Sequence, residues 1–269
     1  DPRPSNREKD AQYFVDNSPD LLDVPGEWYL DRKTGVLTYC ADPAVDLTQA
    51  EVIAPRLEEL LILKGDPTAT NPVRNVVLRG LTFTYTDQSL PPAGYADTQA
   101  AVDIRGDIRA EAATDCTVED CVFTHLSGYA LELGRGCQRW KIIGNELVDL
   151  GAGGIRIGEV TPAADPVQQC AGHTVTDNHL YQLGRTYASG VGIFVMHSGN
   201  NRIAHNRIHD LYYTAISVGW EWGYQETPCH DNVIEFNELF DIGQARLSDM
   251  GAIYTLGIQR GTVVRNNLI

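Results

Sequence analysis

The chain has 269 residues, 36 acidic against 21 basic, a formal net charge of −15 and 43% hydrophobic residues. That balance leaves no basic face for nucleic-acid phosphates. Apolar runs such as Leu60-Leu61-Ile62-Leu63 fall far short of the ~20 residues a membrane-spanning helix needs.

The start at Asp1-Pro2-Arg3, with neither an initiator Met nor an apolar leader, reads as a processed or partial polypeptide. Residues 1–70 follow no repeat. Within them, the stretch from Asp20 to Tyr39 predicts a hairpin, with the turn Arg32-Lys33-Thr34-Gly35 between two alternating runs. The segment Ala54–Lys64 leads into the first coil of a repeated region. Residues 1–70 are therefore expected to form a β-rich cap or insertion on the N-terminal end of a solenoid made by residues 71–269.

From residue 75 onward a phrase recurs: an aliphatic pair, Asn or Asp, any residue, then an aliphatic. Examples are Ile142-Ile143-Gly144-Asn145-Glu146-Leu147 and Val233-Ile234-Glu235-Phe236-Asn237-Glu238-Leu239. Its anchors fall at Asp120, Asn145, Asn178, Asn206, Asn237 and Asn267, and Gly80 takes the place in an earlier copy. A second phrase follows each anchor, a short alternating strand bordered by glycine, as in Gly153-Gly-Ile-Arg-Ile-Gly158 and Gly251-Ala-Ile-Tyr-Thr-Leu-Gly257. Alternation marks a strand with one buried face, and the three- and four-residue spacing of helical repeats is missing. The expected fold is all-β: a right-handed, single-stranded parallel β-helix, one repeat per coil, with aliphatic side chains filling the interior.

Asn at a fixed turn can form an amide ladder from coil to coil. Cys137, Cys170 and Cys229 each lie eight residues before an anchor, so they should stack. Cys137 and Cys170 then come to a separation that suits either a disulfide or two buried free thiols.

The intervening residues of the second phrase should form an outward row: Asp103, Glu132, Arg156, Phe194, Ser217 and Tyr254. Around it the loops carry Arg185, Tyr187, Tyr212, Tyr213, Trp220, Glu221, Trp222, Tyr224, Arg246 and Asp249. Aromatic faces against which a sugar ring can lie, beside carboxyl groups that exchange protons at a glycosidic oxygen, are the equipment of carbohydrate chemistry. Asp249 lies outside the repeated phrase and is the leading catalytic candidate, with Glu221 and Asp210 as second choices. Asp210, Asp149 and Asp241 share one point of the repeat, where a turn-forming role competes. Trp220, Trp222, Tyr254, Tyr213, Arg246, Arg185 and His197 are the substrate-binding candidates. His205 and His209 meet no zinc pattern on a strand. No cofactor is expected; the one alternative left open is calcium attracted to an acidic stack of Asp103 with Glu132.

Longer stretches carry a resemblance. Pro25-Gly-Glu-Trp-Tyr-Leu-Asp-Arg-Lys-Thr-Gly35, Ile53-Ala-Pro-Arg56, Gly80-Leu-Thr-Phe83, Ile216-Ser-Val-Gly-Trp220 and Leu247-Ser-Asp-Met-Gly-Ala-Ile-Tyr-Thr-Leu-Gly257 together resemble the β-helix proteins of glycoside hydrolase family 141. The resemblance runs from about residue 15 to the end. It implies a plant-polysaccharide hydrolase acting on xylan- or fucose-containing substrates, with Asp249 of the Ser-Asp-Met-Gly phrase as its carboxylate. It further implies a piece of a longer enzyme, truncated in the coil after Asn267, whose second carboxylate lies beyond Ile269. The unpaired end would invite self-association or a covering partner chain. Two other readings stay open: a non-catalytic carbohydrate-binding solenoid, and a polysaccharide lyase in which Arg156 or Arg185 faces an acidic sugar. A polymeric substrate places the protein outside the cytoplasm, secreted or periplasmic.

Overall fold

The structure, a computed structural model, describes residues 15–66, 71–90 and 94–269. The parts of the expected cap at 1–14 and 67–70 lie outside the described residues. Two compact units are present, divided between Ala54 and Pro55.

In the first unit the expected hairpin pairs Trp28–Asp31 antiparallel with Val36–Tyr39, Trp28 opposite Tyr39. Asp31 organises its turn. The carboxylate accepts from the Lys33 N–H at 2.9 Å and the Thr34 hydroxyl at 2.8 Å, and Gly35 supplies the positive φ of 73°.

The second unit is the right-handed parallel β-helix. Its first sheet stacks Leu61–Lys64, Gly106–Glu111, Tyr129–Leu133, Ile155–Ile157, Ile193–Val195, Ile216–Val218 and Ile253–Thr255. A second sheet runs from Val77–Arg79 through Thr117–Glu119, Lys141–Ile143, Thr174–Thr176, Arg202–Ala204 and Val233–Glu235 to Val263–Arg265. The third joins Thr82–Thr84, Val122–Leu126, Glu146–Leu150, His179–Leu183, Arg207–Leu211 and Glu238–Ile242. The boundary expected after residue 70 falls inside this unit, because Leu61–Lys64 is already a strand of the first coil and pairs with Gly106–Glu111.

Stacking of like residues makes the core. Ile108, Leu131, Ile155, Ile193 and Ile216 pile up inside the first sheet. Val118, Ile142, Val175, Ile203 and Ile234 line the second, and Phe123, Leu147, Leu180, Ile208 and Leu239 the third, all buried. Burying each such side chain contributes about 1.5–3 kcal/mol.

The bend between second and third sheets carries the ladder. The amide Nδ2 of Asn145 donates to Oδ1 of Asn178 at 2.9 Å, Asn178 to Asn206 at 2.9 Å, Asn206 to Asn237 at 3.0 Å and Asn237 to Asn267 at 2.9 Å. Each Nδ2 also donates across the interior to a carbonyl, that of Asn206 to Val175. Asp120 is not a rung. Cys121 stands opposite Asn145 and donates its N–H to Oδ1, while Asp120 lies one residue earlier. Gly80, Asp120, Gly144, Asp177, His205, Phe236 and Asn266 share that earlier place, all with φ between 52° and 67°. The left-handed residue turns the chain, and the next one forms the ladder.

The cysteine register stands as expected: Gln138 bridges to Ala171, so Cys137 adjoins Cys170, and Cys170 adjoins Ser198. All six cysteines are free thiols. Cys170 is held between the Leu133 carbonyl at 3.3 Å and His173 Nε2 at 3.1 Å.

Candidate functional site

On the outer side of the first sheet the register aligns Ile62, Arg109, Glu132, Arg156, Phe194, Ser217 and Tyr254. Asp103, expected at the head of this row, is replaced there by Arg109, because Gly106–Glu111 is the strand that pairs with Tyr129–Leu133. The row is also not open to solvent along its length. The segment 94–105, between the third-sheet strand Thr82–Thr84 and the first-sheet strand Gly106–Glu111, crosses it as a strap. Ala100, Ala101, Val102 and Ile104 pack on Tyr129, Tyr187, Phe194, Met196 and Tyr213 to form a second apolar core outside the coil.

A buried ionic group pins the strap. Arg156 meets Glu132 at 2.9 Å and donates from Nη2 to the Val102 carbonyl at 3.2 Å. Glu132 is met in turn by Arg105 at 3.2 Å and accepts from the Gly106 N–H at 2.8 Å. The acidic stack of Asp103 with Glu132 does not form, since Glu132 faces the guanidinium groups of Arg105 and Arg156 and has Arg109 as its neighbour in the row. Among the described residues no cluster of three or more His, Cys, Asp or Glu could hold a metal. Inside the strap, Asp97 accepts from the Asp103 N–H at 3.0 Å. Burial, with some repulsion from Asp103, pushes the Asp97 carboxyl up to about 7 against the pull of Asp103 N–H and Arg156.

Where the strap ends, a narrow recess of about 10 Å³ opens, lined by Gln99, Ala100, Tyr213, Ser217, Gly219, Trp220, Tyr254 and Leu256. Asp249 stands at its rim. Its Oδ2 receives a long contact from Gln99 Nε2 at 3.4 Å, Tyr254 Oη approaches Oδ1 at 3.5 Å, and Gln99 Nε2 also donates to Tyr254 Oη at 3.1 Å. Tyr213 donates its hydroxyl to the Asp249 carbonyl at 3.0 Å. Burial raises the Tyr213 phenol, and the charge of Asp249 adds to the effect. With φ at 53°, Asp249 turns the chain into the strand Ile253–Thr255 and leaves its side chain exposed. The structure thus brings Asp249, Tyr213, Tyr254 and Trp220 together, around Gln99.

The other candidates sit elsewhere. Trp220 packs edge-on to Phe194 at 5.2 Å and to Trp222 at 4.7 Å between ring centroids. Trp222 lies on an open ledge formed with Glu221, Gly223, Tyr224, Leu256, Gly257 and Ile258, which shares Leu256 with the recess. Trp222 is 57% and Tyr224 93% exposed. His197 is buried, its Nδ1 has no partner, and burial lowers its basicity against the attraction of Glu221.

Asp210 is committed to structure. It occupies a left-handed position, accepts from Arg185 at 2.6 Å and from Gln244 at 2.8 Å, and does not reach the recess. Arg185 also donates to the Tyr212 hydroxyl at 2.6 Å, and Arg246 lies over the Tyr212 ring at 4.1 Å. With Arg156 buried and Arg185 tied to Asp210, neither arginine is free for the lyase role the sequence left open. His209 meets His179, Nε2 to Nε2 at 2.9 Å, within a stack of Tyr181, His209 and Phe240, while His205 lies on Phe236.

Two features escape sequence reading. Gln99 and Asp97 lie in an irregular segment with no repeat to place them. The other is a second ladder, whose signal in the sequence is that Asn201 and Asn232 each stand five residues before a rung. Asn201 Nδ2 donates to Asn232 Oδ1 at 2.8 Å, and the line continues through His173 and Thr262.

The family model of the right-handed β-helix region matches residues 106–269. The chain belongs to this right-handed β-helix family. One solved structure, a glycoside hydrolase, shares the β-helix with a TM-score of 0.80 at 24% identity, over 93% of this chain and 49% of its own length. At that identity the likeness concerns the fold, and the present β-helix spans about half of the matched glycoside hydrolase. No curated protein matches the sequence.

Proposed function

We propose that this β-helix is part of a glycoside hydrolase of plant cell-wall polysaccharides, similar to family 141 and working outside the cytoplasm, with Asp249 as a catalytic carboxyl group. One observation carries the reading: an exposed carboxylate at the rim of a recess whose walls are Tyr213, Tyr254 and Trp220, with the amide of Gln99 against it. Aromatic walls suit the C–H face of a sugar ring, and the amide and phenols suit its hydroxyls. The fold shared with a glycoside hydrolase supports the same reading.

Hydrolysis by paired carboxyl groups requires a second one about 5–9.5 Å away. Glu221 follows its strand whereas Asp249 precedes the neighbouring one, and Glu221 is not among the residues that line the recess. Asp249 therefore has an amide and phenols as its contacts, and this favours a second reading, in which the chain alone binds carbohydrate without cleaving it. The test is reducing-sugar release from xylans, pectins and fucosylated oligosaccharides by wild type and Asp249→Asn. Release abolished in the variant, with binding retained, supports the hydrolase. Binding without release favours the second reading, and neither binding nor release on any glycan refutes both.

A further inference from the structure

The outer face of the third sheet carries a second group of chemically active side chains, away from the recess. Tyr181 stands level with His209 on the next strand, and His179 lies two residues before Tyr181, so the two histidines are diagonal neighbours on one face. Their Nε2 atoms meet at 2.9 Å. Stacking holds both rings in place. His179 lies on Tyr181 with 4.5 Å between centroids, and His209 sits between Tyr181 at 5.3 Å and Phe240 at 4.5 Å. Tyr181 is itself tethered, its hydroxyl donating to Glu146 at 2.8 Å. Both histidines are half-buried. Burial above all, with the charge of Arg207 adding to it, lowers the basicity of each, so at neutral pH the rings are neutral and offer nitrogen lone pairs.

Two neutral imidazoles whose Nε2 atoms converge can share a proton in an N–H···N bond, or they can share a cation. We propose that His179 and His209 together bind a divalent transition-metal ion, copper(II) or nickel(II), through their Nε2 atoms. The bite selects the metal. With metal–nitrogen bonds of about 2.0–2.1 Å, nitrogens 2.9 Å apart subtend about 90° at the ion. That is the angle between adjacent ligands of a square-planar or octahedral ion, whereas tetrahedral zinc would need a separation of about 3.3 Å. Binding shifts the bridging proton from Nε2 to Nδ1 of the same ring, which leaves both Nε2 lone pairs for the metal. Among the described residues no third His, Cys, Asp or Glu completes a ligand set, so water fills the remaining positions and the ion stays exchangeable. Negative charge gathers around the pair: Glu146 is the strand neighbour of His179, and Asp210 and Asp241 act on His209. Neither histidine lines the recess, so the site is independent of the carbohydrate reading.

The experiment titrates the protein, free of any added histidine tag, with copper(II), nickel(II) and zinc(II) by calorimetry, beside His179→Gln, His209→Gln and His205→Gln. The electron paramagnetic resonance spectrum of the wild-type copper form is recorded as well. A shared site predicts one ion per chain, affinity falling in the order copper, nickel, zinc, and hyperfine splitting from two imidazole nitrogens. Binding should weaken at least tenfold in the His179 and His209 variants and stay unchanged in His205→Gln, whose ring lies elsewhere on Phe236. Nickel should raise the melting temperature of the wild type and leave those of the two weakened variants unmoved. Binding that persists in both variants, a single nitrogen in the spectrum, zinc held as tightly as copper, or no binding at all overturns the proposal and leaves the pair as a hydrogen bond between two rings.

Discussion

Replacing Asn206 by alanine should cost more than its polar, uncharged side chain suggests. In the folded protein Oδ1 of Asn206 accepts from the backbone N–H of Asn178 at 3.1 Å and from Asn178 Nδ2 at 2.9 Å. Its Nδ2 donates to the Val175 carbonyl at 2.9 Å and to Asn237 Oδ1 at 3.0 Å. Asn206 is 1% exposed and Asn178 and Asn237 are equally buried, so water cannot replace the lost group without entering the coil. Asn178 Nδ2 keeps the Ile142 and Thr176 carbonyls, and Asn237 Oδ1 keeps the Asn206 backbone N–H. The groups that lose the Asn206 side chain as partner are therefore the Asn178 N–H, which donates to it, and the Val175 carbonyl, which accepts from it. At about 1–3 kcal/mol for each buried unsatisfied group, Asn206→Ala should lose about 2–6 kcal/mol. Urea unfolding followed by far-ultraviolet circular dichroism measures the loss. Exchange of the Asn178 amide hydrogen shows whether the damage is local, as stacked coils allow. A loss below about 1 kcal/mol, with Asn178 still protected, would refute the claim that the ladder supports the bend.

The strap carries a pH dependence of definite sign. The folded Asp97 carboxyl titrates near 7, above its ordinary value of 3.8, so the folded state holds the proton more tightly. Stability from this group is full below the ordinary value, falls as pH rises towards 7, and is flat above. Asp97→Asn keeps an acceptor for the Asp103 N–H and should raise the melting temperature at pH 8 while changing it little at pH 4. An equal shift at both values would contradict the assignment. Thiol titration offers a check on the interior. Only Cys40 is partly exposed, whereas burial pushes Cys137 up to about 12 and Cys229 to about 11, so a thiol reagent should find one fast-reacting group in the native protein and six in denaturant. Trp222→Ala, on the exposed ledge, should weaken binding to carbohydrate polymers severalfold, with stability changed by less than about 1 kcal/mol, both read by affinity electrophoresis and thermal melting.

The sequence alone determined the coil. A period of roughly thirty residues, strands alternating on one face, and asparagines recurring in register leave few ways to bury the aliphatic residues, and stacked parallel strands satisfy all three at once. It also located Asp249 as the acidic residue outside the repeat. The one-residue error at Asp120 shows the limit of such alignment, because a left-handed Asp and a ladder Asn are both turn residues and only the register separates them. What the tertiary structure alone decided is what covers the coil. Residues 94–105 have no period, and their apolar side chains carry no sign of which surface they bury. Only packing on Phe194 and Tyr129 shows that the outer row is closed over Arg156 and Glu132, and that Gln99 comes beside Asp249 across 150 residues of chain. Periodicity repeats in sequence and can be read there, while a long-range contact between an irregular segment and a repeated face leaves no pattern in either.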